Sequence, residues 1–292
     1  VKVSTQLLAG LVAALLLVPG MAAERIVDAQ GRTLDADALV TAIAASDIAL
    51  LGERHDNVRH HERRGELLQA LKRRIGQTTV VIEHLDRERG FDFNAVCISS
   101  EHGLERVLTS IGFDAKGWRW PLHRPMFSAL AATGANVLGG NIPRAAARQI
   151  ATDGEAALPA STAAQLAAAP LLDNARQRLD ADLVRGHCGT LDSIRLPGLR
   201  LAQRARDAAM ADTLLAAATP GKPVILLAGN GHVRRDYGVP TLLGNGPRIV
   251  SVGFVEDAAE LEAARHDGLY DYLWLTDPAV RSDPCAELRK AR

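Results

Sequence analysis

The chain has 292 residues, with 34 basic and 34 acidic side chains and a formal net charge of zero. So balanced a chain has no field to draw in nucleic acid or an anionic membrane surface, and no charge run long enough to act as a binding tail. Its length suffices for a full hydrophobic core, and a single domain is expected.

At the amino end Lys2 precedes an apolar stretch from Leu7 to Val18, followed by Pro19-Gly20 and the small residues Ala22-Ala23. This order of basic, apolar and small regions predicts a secretory signal over residues 1–23, with the folded domain over 24–292. The expected location is therefore outside the cytoplasm, in a bacterial periplasm, with no membrane span left after signal removal. No cysteine lies near the cut to take a lipid. Cys97, Cys188 and Cys285 are spread along the chain without a C-x-x-C. In an exported protein two of them would pair, and the spacing does not choose among the three pairings.

Ile26 to Ser46 carries Leu34, Leu39, Val40 and Ile43 at roughly helical spacing and predicts a docking helix. Ile48 to Leu51 is a short buried strand that ends in Gly52-Glu53-Arg54-His55-Asp56-Asn57, with His60 and His61 close behind. Arg59 to Arg74 keeps Leu67, Leu68 and Leu71 on one face and predicts a crossover helix leading to a parallel strand, Thr79 to Ile82, which empties into Glu83-His84. Phe91 to Ser110 reads as mostly helical. Gly112 to Pro125 is irregular and holds Trp118 and Trp120 in a chain with only 4% aromatic residues, as a lid or hydrophobic wall would. Met126 to Thr133 predicts a short helix and Asn136 to Gly140 a third strand, which discharges Asn141, Pro143 and Arg144 at a helix start suited to an anionic group. Ala151 to Pro170 is alanine-rich and suggests mobile helices or a variable lid more than core. Two further helices, Asp173 to His187 and Arg200 to Ala217, lead to the strand Val224 to Ala228 and a second G-x-x-H loop, Gly229 to His232. Arg248 to Phe254 alternates as a half-buried strand, and Tyr270 to Leu275 is expected to close one edge of the sheet.

Strands alternating with helices predict an α/β fold with a central, mostly parallel sheet flanked by helices. Such a sheet delivers its strand ends to one crevice, which would bring Glu53, His55, Glu83, His84 and His232 within reach of one another. Imidazoles with carboxylates suit a divalent metal or a base that activates water, and an imidazole or phenolate also suits the iron of a porphyrin, with arginines on its propionates. Arg234 and Tyr237, three residues apart after the second loop, are further candidates to address a ligand.

The ordered set G-E-R-H-D-N with H-H, V-I-E-H, N-I-P-R, R-D-A-A-M-A at Arg206 to Ala211, and A-G-N-G-H-V-R with G-V-P behind it resembles the ChaN-type haem-binding family of the Tiki superfamily. The resemblance runs from about Asp47 to the last strand. It implies an exported protein with a role in haem or iron uptake, with haem held between paired copies in a homodimer. Glu53, His55, Glu83, Asn141, Arg144, His232 and Arg234 match the family's motifs. His84 departs from them, as an extra imidazole where an apolar residue is usual. His55, His84, His232 and Tyr237 are then the candidate iron ligands, and Arg144 and Arg234 the propionate partners. The alternative is a metal-dependent hydrolase of peptidase or esterase type, with His55, His232 and Glu83 holding a divalent metal.

Overall fold

The computed structural model describes residues 24–95, 101–283 and 285–286; the expected signal and Cys97 lie outside them. The chain opens with a hairpin, β1 (Arg25–Asp28) and β2 (Thr33–Leu34), before α1 (Ala36–Ala44). The expected docking helix is therefore shorter than its pattern suggested. Gly31, at a φ of 81°, turns the chain back with its N–H on the Asp28 carbonyl, and Asp35 caps α1 by accepting from the Ala38 N–H.

β3 (Ile48–Leu51) leads through a polar loop to α2 (Val58–Ile75), capped by the Asn57 side chain, and then to β4 (Thr79–Asp86). β4 runs on past its apolar core, so Glu83 and His84 belong to the strand itself. The stretch expected to be helical from Phe91 opens instead with β5 (Gly90–Asp92) and a single 3₁₀ turn, and among its described residues the helix is Glu101–Ser110, α3. After the irregular tryptophan segment come α4 (Arg124–Thr133), β6 (Asn136–Asn141) and α5 (Arg144–Asp153). The alanine-rich stretch forms α6 (Ala160–Ala168), which is tied to the long helix that follows by a Gln165–Asp212 hydrogen bond of 3.0 Å. α7 (Asp173–Gly186), α8 (Leu196–Ala217), β7 (Val224–Leu227), the single turn α9 (Asn230–Val233), β8 (Ile249–Val255), α10 (Ala258–His266) and β9 (Tyr272–Leu275) complete the order.

The nine strands of the described residues form one sheet in the order β2-β1-β9-β8-β3-β7-β4-β6-β5. The pairs from β9 through β6 are parallel, and only the flanking β1–β2, β1–β9 and β5–β6 pairs are antiparallel. β9 is not an edge, because β1 pairs along its free side. Alternate strand residues feed two layers, as the pleat requires. Ala49, Leu51, Val80 and Ile82 pack with Leu39, Leu67, Leu71 and Phe127 of α1, α2 and α4, whereas Ile48, Leu50, Val81 and Leu226 pack with Met210, Leu214 and Leu261 of α8 and α10. Among the described residues no helix is long and apolar enough to cross a membrane. Cys188 and Cys285 form a disulfide that fastens the C-terminal segment to the end of α7.

Candidate functional site

β7 lies between β3 and β4 and pairs in parallel with both, so Leu51, Leu227 and Ile82 stand level across three strands. One step beyond that row the chain reaches Gly52, Ala228 and Glu83, and one step further Glu53, Gly229 and His84. The two G-x-x-H loops and the Glu83-His84 pair thus meet at the carboxyl edge of adjacent strands, where an open parallel sheet places its crevice.

The glycines of the two loops make this meeting close. A Cβ on Gly52 would run into Asn230 and Val233 of the second loop, and a Cβ on Gly229 would stand 2.9 Å from His55 Nε2 of the first. Asn230 completes the joint by donating to the Phe254 carbonyl and accepting the Phe254 N–H.

Glu53 is buried and surrounded by cationic and imidazole groups. Its Oε2 pairs with the buried Arg64 guanidinium and lies 2.9 Å from His61 Nδ1, while Oε1 lies 2.6 Å from His55 Nδ1. Burial pushes Arg64 down to about 9, which still leaves it cationic at neutral pH. It pushes His61 down to about 4 and holds His84 and His123 well below the usual imidazole range, so all three rings are neutral. His55 differs in facing outward, with 47% of its side chain exposed.

Glu83 faces the other way. Its Oε2 accepts the Gly229 N–H at 2.7 Å and its Oε1 lies 3.3 Å from His232 Nε2, while His232 Nδ1 lies 2.6 Å from Asp207 of α8. Burial acts against the charge on each of these groups. At His232 the Glu83 and Asp207 carboxylates overcome it and hold the imidazole up at about 10. His232 and His55 in turn hold Glu83 well below the usual carboxylate range. The result is an imidazolium clamped between two carboxylates, with no free lone pair.

A cleft of about 400 Å³ opens above β4 and β6, with Glu83 and His84 at its floor. Trp118 forms its wall, with its ring 4.3 Å from that of His84 and 5.1 Å from that of His55. The irregular tryptophan segment therefore gives the cleft a wall at Trp118, while Trp120 packs on Phe113 and Phe127 of the core. Arg144 and Arg206 line it as well. Arg144 is paired with Asp114 at 3.2 Å, whereas Arg206 has no ion-pair partner among the described residues. Asn141 lies at the cleft, but its amide donates to the Glu83 carbonyl and its oxygen accepts the Ile142 N–H, so it shapes the strand end.

Arg234 and Tyr237 are elsewhere. They line a second, larger cleft of about 700 Å³ over α7 and α10. The Tyr237 hydroxyl donates to Asp182 at 2.6 Å and burial raises its pKa, while Arg234 stacks 4.3 Å over the Tyr237 ring and pairs with Asp182 and Asp236. Neither reaches the cluster around Glu53.

The sequence profile described as haem-binding uptake, Tiki superfamily, ChaN matches residues 39–243. The chain belongs to this ChaN family. Among solved structures it resembles one of cofacial haem binding to ChaN of Campylobacter jejuni, at 18% identity and a TM-score of 0.69, with 87% of this chain and 97% of that one covered. That likeness is one of fold. An erythromycin esterase variant in its open conformation is 16% identical over 91% of this chain and 86% of that one, at a TM-score of 0.42. No curated protein matches the chain.

Several residues of this ChaN-family site escaped the pattern reading. Arg64 sits on α2, where it reads as a polar member of an amphipathic helix, whereas its neighbour His61 is legible as part of the H-H pair behind the first loop. Asp207 and Arg206 fell inside a recognised motif on α8 without a role. His123 had no periodic signal at all, since it lies at the N-terminal end of α4 after an irregular segment.

Proposed function

We propose that this chain binds haem at the cleft above β4 and β6, as an exported uptake protein, and that His55 is the side chain presented to the iron. The observation that carries the reading is the family match over residues 39–243. The chemistry of the cleft fits the group. His55, at the rim beside Trp118 and outside the lining itself, is the one outward-facing ring of the cluster, and its Nδ1 is tied to Glu53, which fixes the tautomer and leaves Nε2 as the donor nitrogen. Trp118 offers an apolar face, and the unpaired Arg206, with Arg144 beside it, suits the propionates. When bound, haem supplies a redox-active iron whose exchange is the purpose of uptake. The residues of this chain hold it, cover one face and neutralise its carboxylates.

Glu83, Asp86 and Asp114 also line the cleft, and about 400 Å³ accommodates only part of a porphyrin. Both facts favour a ligand lying against the mouth, its other face covered by a second copy in a homodimer. Export is supported by the signal-like residues 1–23 and by the Cys188–Cys285 bond, which suits an oxidising compartment. The hydrolase alternative, with a metal on His55, His232 and Glu83, is less well supported, because His232 is already engaged through both nitrogens.

A haem titration followed by the Soret band tests the reading. The expected result is a saturable shift that His55→Ala weakens at least about tenfold, by loss of an axial bond, and that Tyr237→Phe leaves within about twofold. No saturable shift in the wild type would overturn it.

A further inference from the structure

Beneath the cleft lies an arrangement of which the haem reading uses only the outer part, His55 and the Glu53 oxygen that holds it. Glu53 Oε1 faces three ring nitrogens, His55 Nδ1 at 2.6 Å, His84 Nε2 at 3.6 Å and His123 Nε2 at 3.6 Å. One donor atom from each of the four residues lies within 4.8 Å of all the others. Glu53, His84 and His123 are 2%, 4% and 1% exposed, so this is an interior cluster rather than a patch of surface polarity. Neither nitrogen of His84 nor of His123 has a hydrogen-bond partner among the described residues. A buried polar group left in that state is destabilising, and here two neighbouring imidazoles each point Nε2 at the same carboxylate oxygen.

We propose that Glu53, His55, His84 and His123 hold one divalent transition-metal ion of the zinc, cobalt or ferrous-iron type. Three imidazoles and a carboxylate are the donors that such borderline cations take, in a four-coordinate shell, whereas magnesium and calcium want oxygen donors throughout. The surroundings hold the donors in place. Arg64 engages the far oxygen of Glu53 and leaves Oε1 turned inward, while His61 accepts from Arg64 at Nδ1 and donates from Nε2 to the His55 carbonyl, and Trp118 packs on His84 while Phe127 meets its edge with centroids 5.8 Å apart. An ion can enter from solvent, since His84 lines the cleft and His55 is half exposed. The site adjoins the Glu83–His232–Asp207 clamp, with His55 Nε2 3.9 Å from Glu83 Oε2, but shares no donor residue with it, and it does not rest on the haem reading, because His84 and His123 supply donors that reading does not use.

The test is to load the purified protein with zinc, or with cobalt(II) as a coloured substitute, to remove unbound ion by gel filtration, and to measure metal content and the visible d–d bands. One equivalent per chain is expected, with bands typical of a low-symmetry four-coordinate shell, and with affinity falling at least about tenfold in both His123→Gln and His84→Gln. The thermal midpoint of the wild type should rise with metal concentration, by mass action. Metal content near zero without d–d bands, or His123→Gln binding as tightly as the wild type, would overturn the proposal. Should a variant fail to fold, X-ray absorption on the zinc-loaded wild type decides alone: an imidazole-rich nitrogen and oxygen shell supports the site, and a sulfur-containing or all-oxygen shell sinks it. A Soret titration of His123→Gln separates the two readings, because haem binding should persist where metal binding is lost.

Discussion

His232 shows how far the fold can move a single residue. Burial by itself would lower its pKa, yet Glu83 and Asp207 hold it at about 10, against an unfolded value of about 6.5. The folded state therefore keeps a proton that the unfolded chain releases between those values. The stabilisation is complete below about pH 6.5 and is lost as the pH climbs toward 10, amounting to a few kcal/mol at most. Chemical denaturation from pH 6 to 10 should show wild-type stability declining across that window, with a shallower decline in His232→Gln whatever its absolute stability. Equal slopes in the two proteins would mean that His232 is neutral when folded. At the same scale, Tyr237 illustrates the opposite outcome. Its position three residues from Arg234 suggested a shared ligand, and the two do meet, but as a cation–π pair anchored on Asp182 in a separate cleft.

At the level of elements, the paired loops depend on a close approach that only glycine permits. Gly229 has a φ of −61°, which alanine accepts without strain, so the obstacle to a side chain is purely the His55 ring 2.9 Å from where the Cβ would stand. Gly229→Ala should thus displace His55, costing about 1–3 kcal/mol as overpacking in urea unfolding and weakening haem binding about as much as His55→Ala does. Unchanged haem affinity in a folded Gly229→Ala protein would show that His55 is not the side chain that matters. The strands, the crossover α2 and the helix starts were legible because each buries a periodic face. The β1–β2 hairpin and β5 were not, because two to four residues are too few to express a period, and their pairing partners β9 and β6 are distant in sequence or set by a tertiary register.

The Cys188–Cys285 bond, joining residues 97 positions apart, acts on the whole chain. By limiting the unfolded ensemble it is worth about 2–4 kcal/mol, so reduction should lower the thermal midpoint and free the C-terminal segment, in which Arg281 bridges Asp56 and Glu256. With this pair formed, thiol titration of the denatured, unreduced protein should find one reactive cysteine, Cys97. Three free thiols, or none, would contradict the pairing.

From residues alone one could read an α/β chain with acids and imidazoles at its strand ends, since burial periodicity and strand-end polarity are local properties. The order of those ends was not readable. Only the insertion of β7 between β3 and β4 turned Glu83 toward His232 and left Glu53 facing His55, His84 and His123, so that the predicted cluster has two halves that touch where His55 Nε2 comes within 3.9 Å of Glu83 Oε2. The same packing carried Tyr237 and Arg234 away to another cleft and brought in Arg64 of α2, His123 at the start of α4 and Asp207 of α8, to none of which the sequence pattern gave a role at the site. Which groups meet at a strand edge is decided by long-range pairing and by the helices packed over it, and neither leaves a periodic trace in the residues that meet.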